Sequence, residues 1–270
     1  MSPPGGSTPS RSSPERSCPA AGYISLLNVI SRILVAAIGH TAFDEERAFR
    51  ICYFAEQLPH IKGRWGSRNI VLEPWQCFVL TSVFGWIDAA AFRRFRKALI
   101  VIPRKNSKTT VAAIVGLYLL ALDSEPGAEV YSAATTRDQA KICWDIAKRM
   151  AQRSPGFRDR YGVEALSHSI AMETAAAFFK PLSRDADSLE GLNPHGAIID
   201  ELHAHKTREV FDVLDEATAS RRQPLMFIIS TEGDNATGVF GRSGRLRAAR
   251  TGRAARGRQL LLCDLHDRSR

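Results

Sequence analysis

The sequence predicts an α/β fold of three layers, and three observations carry that reading. Short apolar runs alternate with stretches of 3.6-residue apolar period from residue 97 to 230. The runs are near-continuously apolar, as strands buried on both faces are. The hydrophobic content of 44% over 270 residues suffices for a large core. In order, Lys97–Ile102 reads as a strand, Lys108–Leu122 as a helix, Ala128–Ala133 as a strand and Thr136–Gln152 as a helix. Residues 163–183 are ambiguous, a pair of strands around Glu173 being the reading. Gly196–Ile199 is a short buried strand, Glu209–Ala219 a helix and Leu225–Ser230 a further strand. Strands separated by helical crossovers imply a mainly parallel sheet covered on both faces.

Before this core, residues 1–22 are rich in Pro, Ser and Gly and are expected to be disordered. Residues 23–70 form a helical lead-in. Within it, Tyr23 to Gly39 reads as an amphipathic helix rather than a membrane span, being short and containing Asn28 and Arg32. Residues 44–60 read as a helix with Phe49, Cys52, Tyr53 and Leu58 on its apolar face. Glu73-Pro74-Trp75-Gln76 opens another helix, proline standing where its missing N–H costs little. The main domain runs over 71–235, and 236–270 is an Arg-rich tail expected to be solvated or out of frame.

Net charge is +9, but residues 241–270 hold nine arginines against Asp264 and Asp267, and 23–240 carry only about +1. Overall charge therefore says little about nucleic-acid binding by the folded part. The five cysteines (18, 52, 77, 143, 263) are scattered without metal-ligand spacing, as reduced thiols are, and Cys77 and Cys143 read as core.

Three motifs carry chemistry. Pro103-Arg104-Lys105-Asn106-Ser107-Lys108-Thr109-Thr110 stands between a strand and a helix, the setting of a phosphate-binding loop. Lys108 would reach phosphate oxygens and Thr109 would hold Mg²⁺. Both glycine positions of G-x-x-x-x-G-K-[ST] are lost, to Ile102 and Ser107, and a basic helix start with no ligand is the alternative. Ala197-Ile198-Ile199-Asp200-Glu201 is an apolar strand ending in two carboxylates that point to opposite sides. One would hold Mg²⁺ and the other orient water; a helix N-cap or surface pair is the alternative. Phe227-Ile228-Ile229-Ser230-Thr231 ends a strand in hydroxyls, which also form turns. The order of the three, lysine loop, carboxylates, hydroxyls, fits an ATPase whose chemistry lines one sheet edge.

PRKNSKTT, AATTRDQAKI (133–142), DADSLEGLNPHGAIIDELHAHK (185–206), SRRQPL (220–225) and IISTEGDN (228–235) together resemble the large terminase subunit of tailed bacteriophages, over about residues 44–235. The resemblance implies an ASCE, RecA-like P-loop sheet with the Walker B strand beside the Walker A strand. It implies an ATP-driven motor, with Mg²⁺, that packages double-stranded DNA into proheads. Lys108 and Thr109 take the Walker A positions, with Arg104, Lys105, Asn106 and Ser107 as the rest of the phosphate loop. Asp200 and Glu201 take the Walker B and catalytic glutamate positions, and Ser230 and Thr231 the coupling motif. Gln76 resembles the glutamine at the adenine edge, with Trp75 nearby or simply in the core. Arg184 is a candidate arginine finger acting on a neighbouring subunit; a solvated arginine is the alternative, as for Arg137, Arg221 and Arg222. His203 and His205 read as helix-surface residues.

The partners implied are double-stranded DNA, a portal protein, a small terminase subunit and further copies in a ring, in the bacterial host cytoplasm and with no membrane. Ser107 stands where the family usually has glycine, so a left-handed backbone there would cost roughly 1 kcal/mol. The family's C-terminal nuclease, with its acidic metal ligands, has no counterpart in 236–270. The expectation is therefore a chain without DNA cleavage, from a truncated or frameshifted gene. The alternatives are a non-catalytic prophage remnant and another P-loop DNA translocase.

Overall fold

A computed structural model of the chain describes residues 41–63, 66, 68–134, 136–182, 191–200, 209–231 and 259–264. Glu201, Arg184, His203 and His205, the helix expected over 23–39 and the 1–22 tail lie outside these residues, as does the side chain of Arg137.

The chain enters through β1 (Thr41–Phe43), which pairs antiparallel with β2 (Trp86–Asp88). Between them lie α1 (Glu45–Gln57) and α2 (Pro74–Gly85). Asp44 caps α1 by accepting from the Arg47 N–H at 3.0 Å, and Glu45 and Glu46 occupy the first turn, where carboxylates complement the helix dipole. The buried face of α1 is Ala48, Ile51, Cys52, Phe54 and Ala55. Tyr53, expected on that face, is 43% exposed, because the 3.6-residue period turns it away from Ile51 and Ala55.

The main sheet has eight strands in the order β10-β3-β9-β8-β4-β7-β6-β5. Its members are β3 (Phe95–Val101), β4 (Glu129–Ala133), β5 (Glu164–Ala165), β6 (Ile170–Met172), β7 (Ala177–Pro181), β8 (Pro194–Asp200), β9 (Leu225–Ser230) and β10 (Gln259–Asp264). Strands from β10 to β7 run parallel, and β6 and β5 join antiparallel. The pair expected around Glu173 is thus β6 and β7, joined by a 3₁₀ turn at Glu173–Ala175. Residues 259–264, inside the segment expected to be a tail, form β10 at the β3 edge.

The strand order corrects one expectation. β9 lies between β3 and β8, so the carboxylate strand is not the direct neighbour of the lysine-loop strand. Chain order does not dictate spatial order. All six residues of β9 are buried, as suits a strand flanked on both edges and covered on both faces.

Two cores flank the sheet. Ala98, Ile100, Ile198, Phe227 and Ile229 face one side, packed with α1, α2, α3 (Lys108–Ala121), α4 (Arg137–Gln152) and α5 (Pro155–Tyr161). Leu99, Val101, Ala197, Ile199, Met226 and Ile228 face the other, under Leu214 of α6 (Glu209–Ala217). The period of two along each strand assigns these alternate residues to opposite faces. α3 approaches β7 so closely that a Cβ on Gly116 would lie 2.6 Å from the Phe179 ring, and this accounts for a glycine inside an apolar helix. Cys77 and Cys143 are buried in the first core, as expected.

Candidate active site

Ligands of open α/β sheets bind beyond the carboxyl ends of the strands. Here β3, β9 and β8 end in register: Val101 lies opposite Ser230, and Ile229 opposite Asp200. The Ile102 N–H donates to the Ser230 carbonyl at 3.1 Å, extending the ladder to the point where the chain leaves β3.

The loop from Pro103 to Ser107 is exposed and turns into α3 through two left-handed residues, Lys105 (φ 69°) and Ser107 (φ 53°). Asn106 braces it, its side-chain amide donating to the Pro103 carbonyl at 3.2 Å. Ser107 is the N-cap of α3 but makes no side-chain capping bond, so its hydroxyl returns nothing for the strained backbone. Ser107→Gly is accordingly expected to raise stability by up to about 1 kcal/mol. Thermal melts of both proteins measure this; a less stable glycine variant would show the αL turn to be no burden.

The first turn of α3 places Lys108 and Thr109 over the end of β8. Lys108 Nζ lies 3.8 Å from Asp200 Oδ1, and the Thr109 hydroxyl donates to Asp200 Oδ2 at 3.3 Å. The Lys108 and Asp200 side chains are nearly buried, 13% and 12% exposed. Burial pushes the Lys108 ammonium below its ordinary value, Asp200 pulls it back up, and Arg104 lowers it further. Residues 91 positions apart therefore meet where backbone N–H groups of a helix start point outward.

Ser230 and Thr231 are buried at the end of β9, the Ser230 hydroxyl donating to the Thr231 carbonyl at 3.1 Å. Gln76 is buried at the start of α2, where its side-chain carbonyl accepts from the Glu73 N–H at 2.9 Å. Trp75 packs partly buried against the core. Arg221 is no solvated arginine. Its guanidinium holds the Asn193, Pro126 and Gly127 carbonyls and Glu125, clamping the turn between α3 and β4.

A buried ion cluster near the amino ends of β3, β8 and β9 escaped the reading of motifs. Arg93 binds both oxygens of Asp123 at 2.9 Å, and His195 Nε2 lies 2.7 Å from Asp123 Oδ2. Gln223 ties in through the Arg93 N–H and the Asp123 carbonyl. The available signal was a histidine inside an otherwise apolar strand, a polar group that burial obliges to find a partner.

A family model described as "Terminase large subunit, ATPase domain" matches residues 74–245. The chain belongs to this family. It is 26% identical over 193 residues to the terminase large subunit of Enterobacteria phage HK97, covering 70% of this chain and 37% of that one. It is 30% identical over 98 residues to the protein YmfN of Escherichia coli strain K12, covering 36% and 20% respectively. The crystal structure of the HK97 bacteriophage large terminase superposes with a TM-score of 0.66 at 21% identity, over 82% of this chain and 44% of that chain. That likeness shows the fold, a mixed sheet with helices on both sides. This terminase ATPase domain thus spans less than half the length of either curated relative. Among the described residues no helix is long and apolar enough to cross a membrane.

Proposed function

We propose that this terminase ATPase domain hydrolyses ATP beyond the carboxyl ends of β3, β9 and β8, and that hydrolysis drives double-stranded DNA into proheads in the bacterial cytoplasm. The observation that supports it most is the meeting of Lys108, Thr109 and Asp200 at one sheet edge. Lys108 supplies positive charge to the terminal phosphates, with Arg104 and Lys105 beside it on the exposed loop. The Thr109 hydroxyl and Asp200 carboxylate are hard oxygen donors 3.3 Å apart, close to the roughly 3 Å between neighbouring ligands of an octahedron with bonds of about 2.1 Å. That donor set fits Mg²⁺, which when bound neutralises charge on the terminal phosphates.

Glu201 follows Asp200 directly in the sequence and supplies the second carboxylate of the pair. It orients and deprotonates the attacking water. Ser230 and Thr231, in the strand between the lysine loop and the carboxylates, relay the loss of the terminal phosphate. Gln76 reads the adenine edge, and Arg184 acts across to a neighbouring copy in a ring. A portal protein and a small terminase subunit complete the assembly.

The experiment separates binding from chemistry. Glu201→Ala is expected to lower ATP turnover by roughly 100-fold or more, the scale of a general base, while nucleotide affinity stays within about twofold. An equal loss of binding in this variant would remove Glu201 from the role assigned to it.

A further inference from the structure

At the far end of α3, a second site is built from groups that ATP hydrolysis does not use. The α1 face, the end of α3 and the junction of α4 with α5 enclose a cleft of about 820 Å³. α3 starts at Lys108 and ends at Ala121, so its length alone puts the cleft about 20 Å from the lysine loop. The volume falls within the range of small-molecule sites.

The lining combines two chemistries. Arg50, Arg153 and Arg160 contribute three guanidinium groups against the single carboxylate of Glu46. Arg50 and Glu46 form an exposed pair at 2.8 Å, of the kind that is cheaply released. Arg153 is held in place by donating to the Gly66 carbonyl at 2.9 Å. Tyr53, which the helix period leaves 43% exposed, and Tyr161 present aromatic rings, and the Arg160 guanidinium lies 5.7 Å from the Tyr161 ring centroid. Ser154 also lines the cleft. It is 9% exposed, and its hydroxyl has no hydrogen-bond partner among the described residues. That oxygen is itself buried, so the arginines and the aromatic rings, and not this hydroxyl, are the groups the cleft offers a ligand.

We infer that this cleft binds an aromatic base carrying phosphate, either a free nucleotide or an unstacked base at the end of a nucleic-acid strand. Guanidinium groups recognise phosphate in bidentate fashion, and bases stack on tyrosine faces. A bare inorganic anion would have no use for the rings, and an apolar ligand none for the three arginines.

The test uses the full chain carrying Lys108→Ala, which weakens the proposed phosphate binding at the lysine loop, titrated by calorimetry with dTMP and with a six-residue oligo-dT. Saturable binding of one or both is expected. Arg50→Glu with Arg160→Glu, both exposed positions, should weaken it at least tenfold. Tyr53→Ala should weaken it severalfold, a loss that attraction to phosphate alone does not produce. Tighter binding of dTMP identifies a free nucleotide as the ligand, and tighter binding of the oligonucleotide a strand end. Binding of neither, or binding indifferent to the arginine and tyrosine changes, overturns the inference.

Discussion

Asp200→Asn is expected to lower ATP turnover at least about 100-fold. The substitution keeps size and hydrogen-bonding capacity but removes the charge that faces both Lys108 and Thr109. Two consequences compound. The carboxylate proposed to hold Mg²⁺ is gone, and metal-assisted charge stabilisation amounts to several kcal/mol, each 1.36 kcal/mol of which is tenfold in rate. Lys108 also loses the neighbour that raises its pKa against the lowering effect of burial, so a larger fraction of it is neutral at a given pH. Raising Mg²⁺ should recover little of the loss. Steady-state hydrolysis across a Mg²⁺ series measures this, and near-normal turnover would detach Asp200 from the chemistry.

The second large effect concerns stability. Asp123→Ala is expected to destabilise the fold by roughly 3–5 kcal/mol, because it leaves the buried Arg93 without its counter-charge and the buried His195 ring without its hydrogen-bond partner. The Arg93 side chain is 3% exposed and His195 is fully buried. The Asp123 carboxyl carries a definite pH signature. Burial would raise its pKa, but the Arg93 charge and the hydrogen bonds from His195 and Arg93 prevail and hold it below the ordinary carboxylate value. A depressed folded pKa contributes stability that is present above the unfolded value, near 4, and is lost as pH falls through the folded one. Urea denaturation between pH 7 and pH 3 should therefore show an acid-dependent loss in the parent that is smaller in Asp123→Ala. A variant as stable as its parent at pH 7 would show that the cluster contributes specificity rather than stability.

These two sites differ in how far the sequence reveals them. The lysine loop is legible because its signals are local: a strand, a short basic turn and a helix start within a dozen residues. The same holds for the apolar strand ending at Asp200 and for the hydroxyls ending β9. The left-handed turn at Ser107, foreseen as a cost, is present in the backbone. What stayed hidden depends on long-range pairing. Arg93 meets Asp123 across 30 positions and Gln223 across 130, and Asp123 meets His195 across 72. No periodicity encodes such partners.

The insertion of β9 between β3 and β8 is of the same kind, since strand order in a parallel sheet is fixed by crossovers and not by neighbours in sequence. Arg221 shows the converse error of composition-based reading. A charged residue beside a second arginine reads as solvated, yet it satisfies three backbone carbonyls of neighbouring turns. Likewise β10 lies in a segment whose arginines mask the one apolar run, Leu260–Leu262, that pairs with β3.

The central claim is that the edge formed by β3, β9 and β8 is a working ATPase coupled to DNA. Its most direct test is ATP turnover by the full chain, with and without double-stranded DNA, beside Asp200→Asn. The expected result is Mg²⁺-dependent turnover that DNA accelerates and that Asp200→Asn abolishes. Turnover that persists in the folded Asp200→Asn protein, or a folded parent chain that neither binds nor hydrolyses ATP, would contradict it.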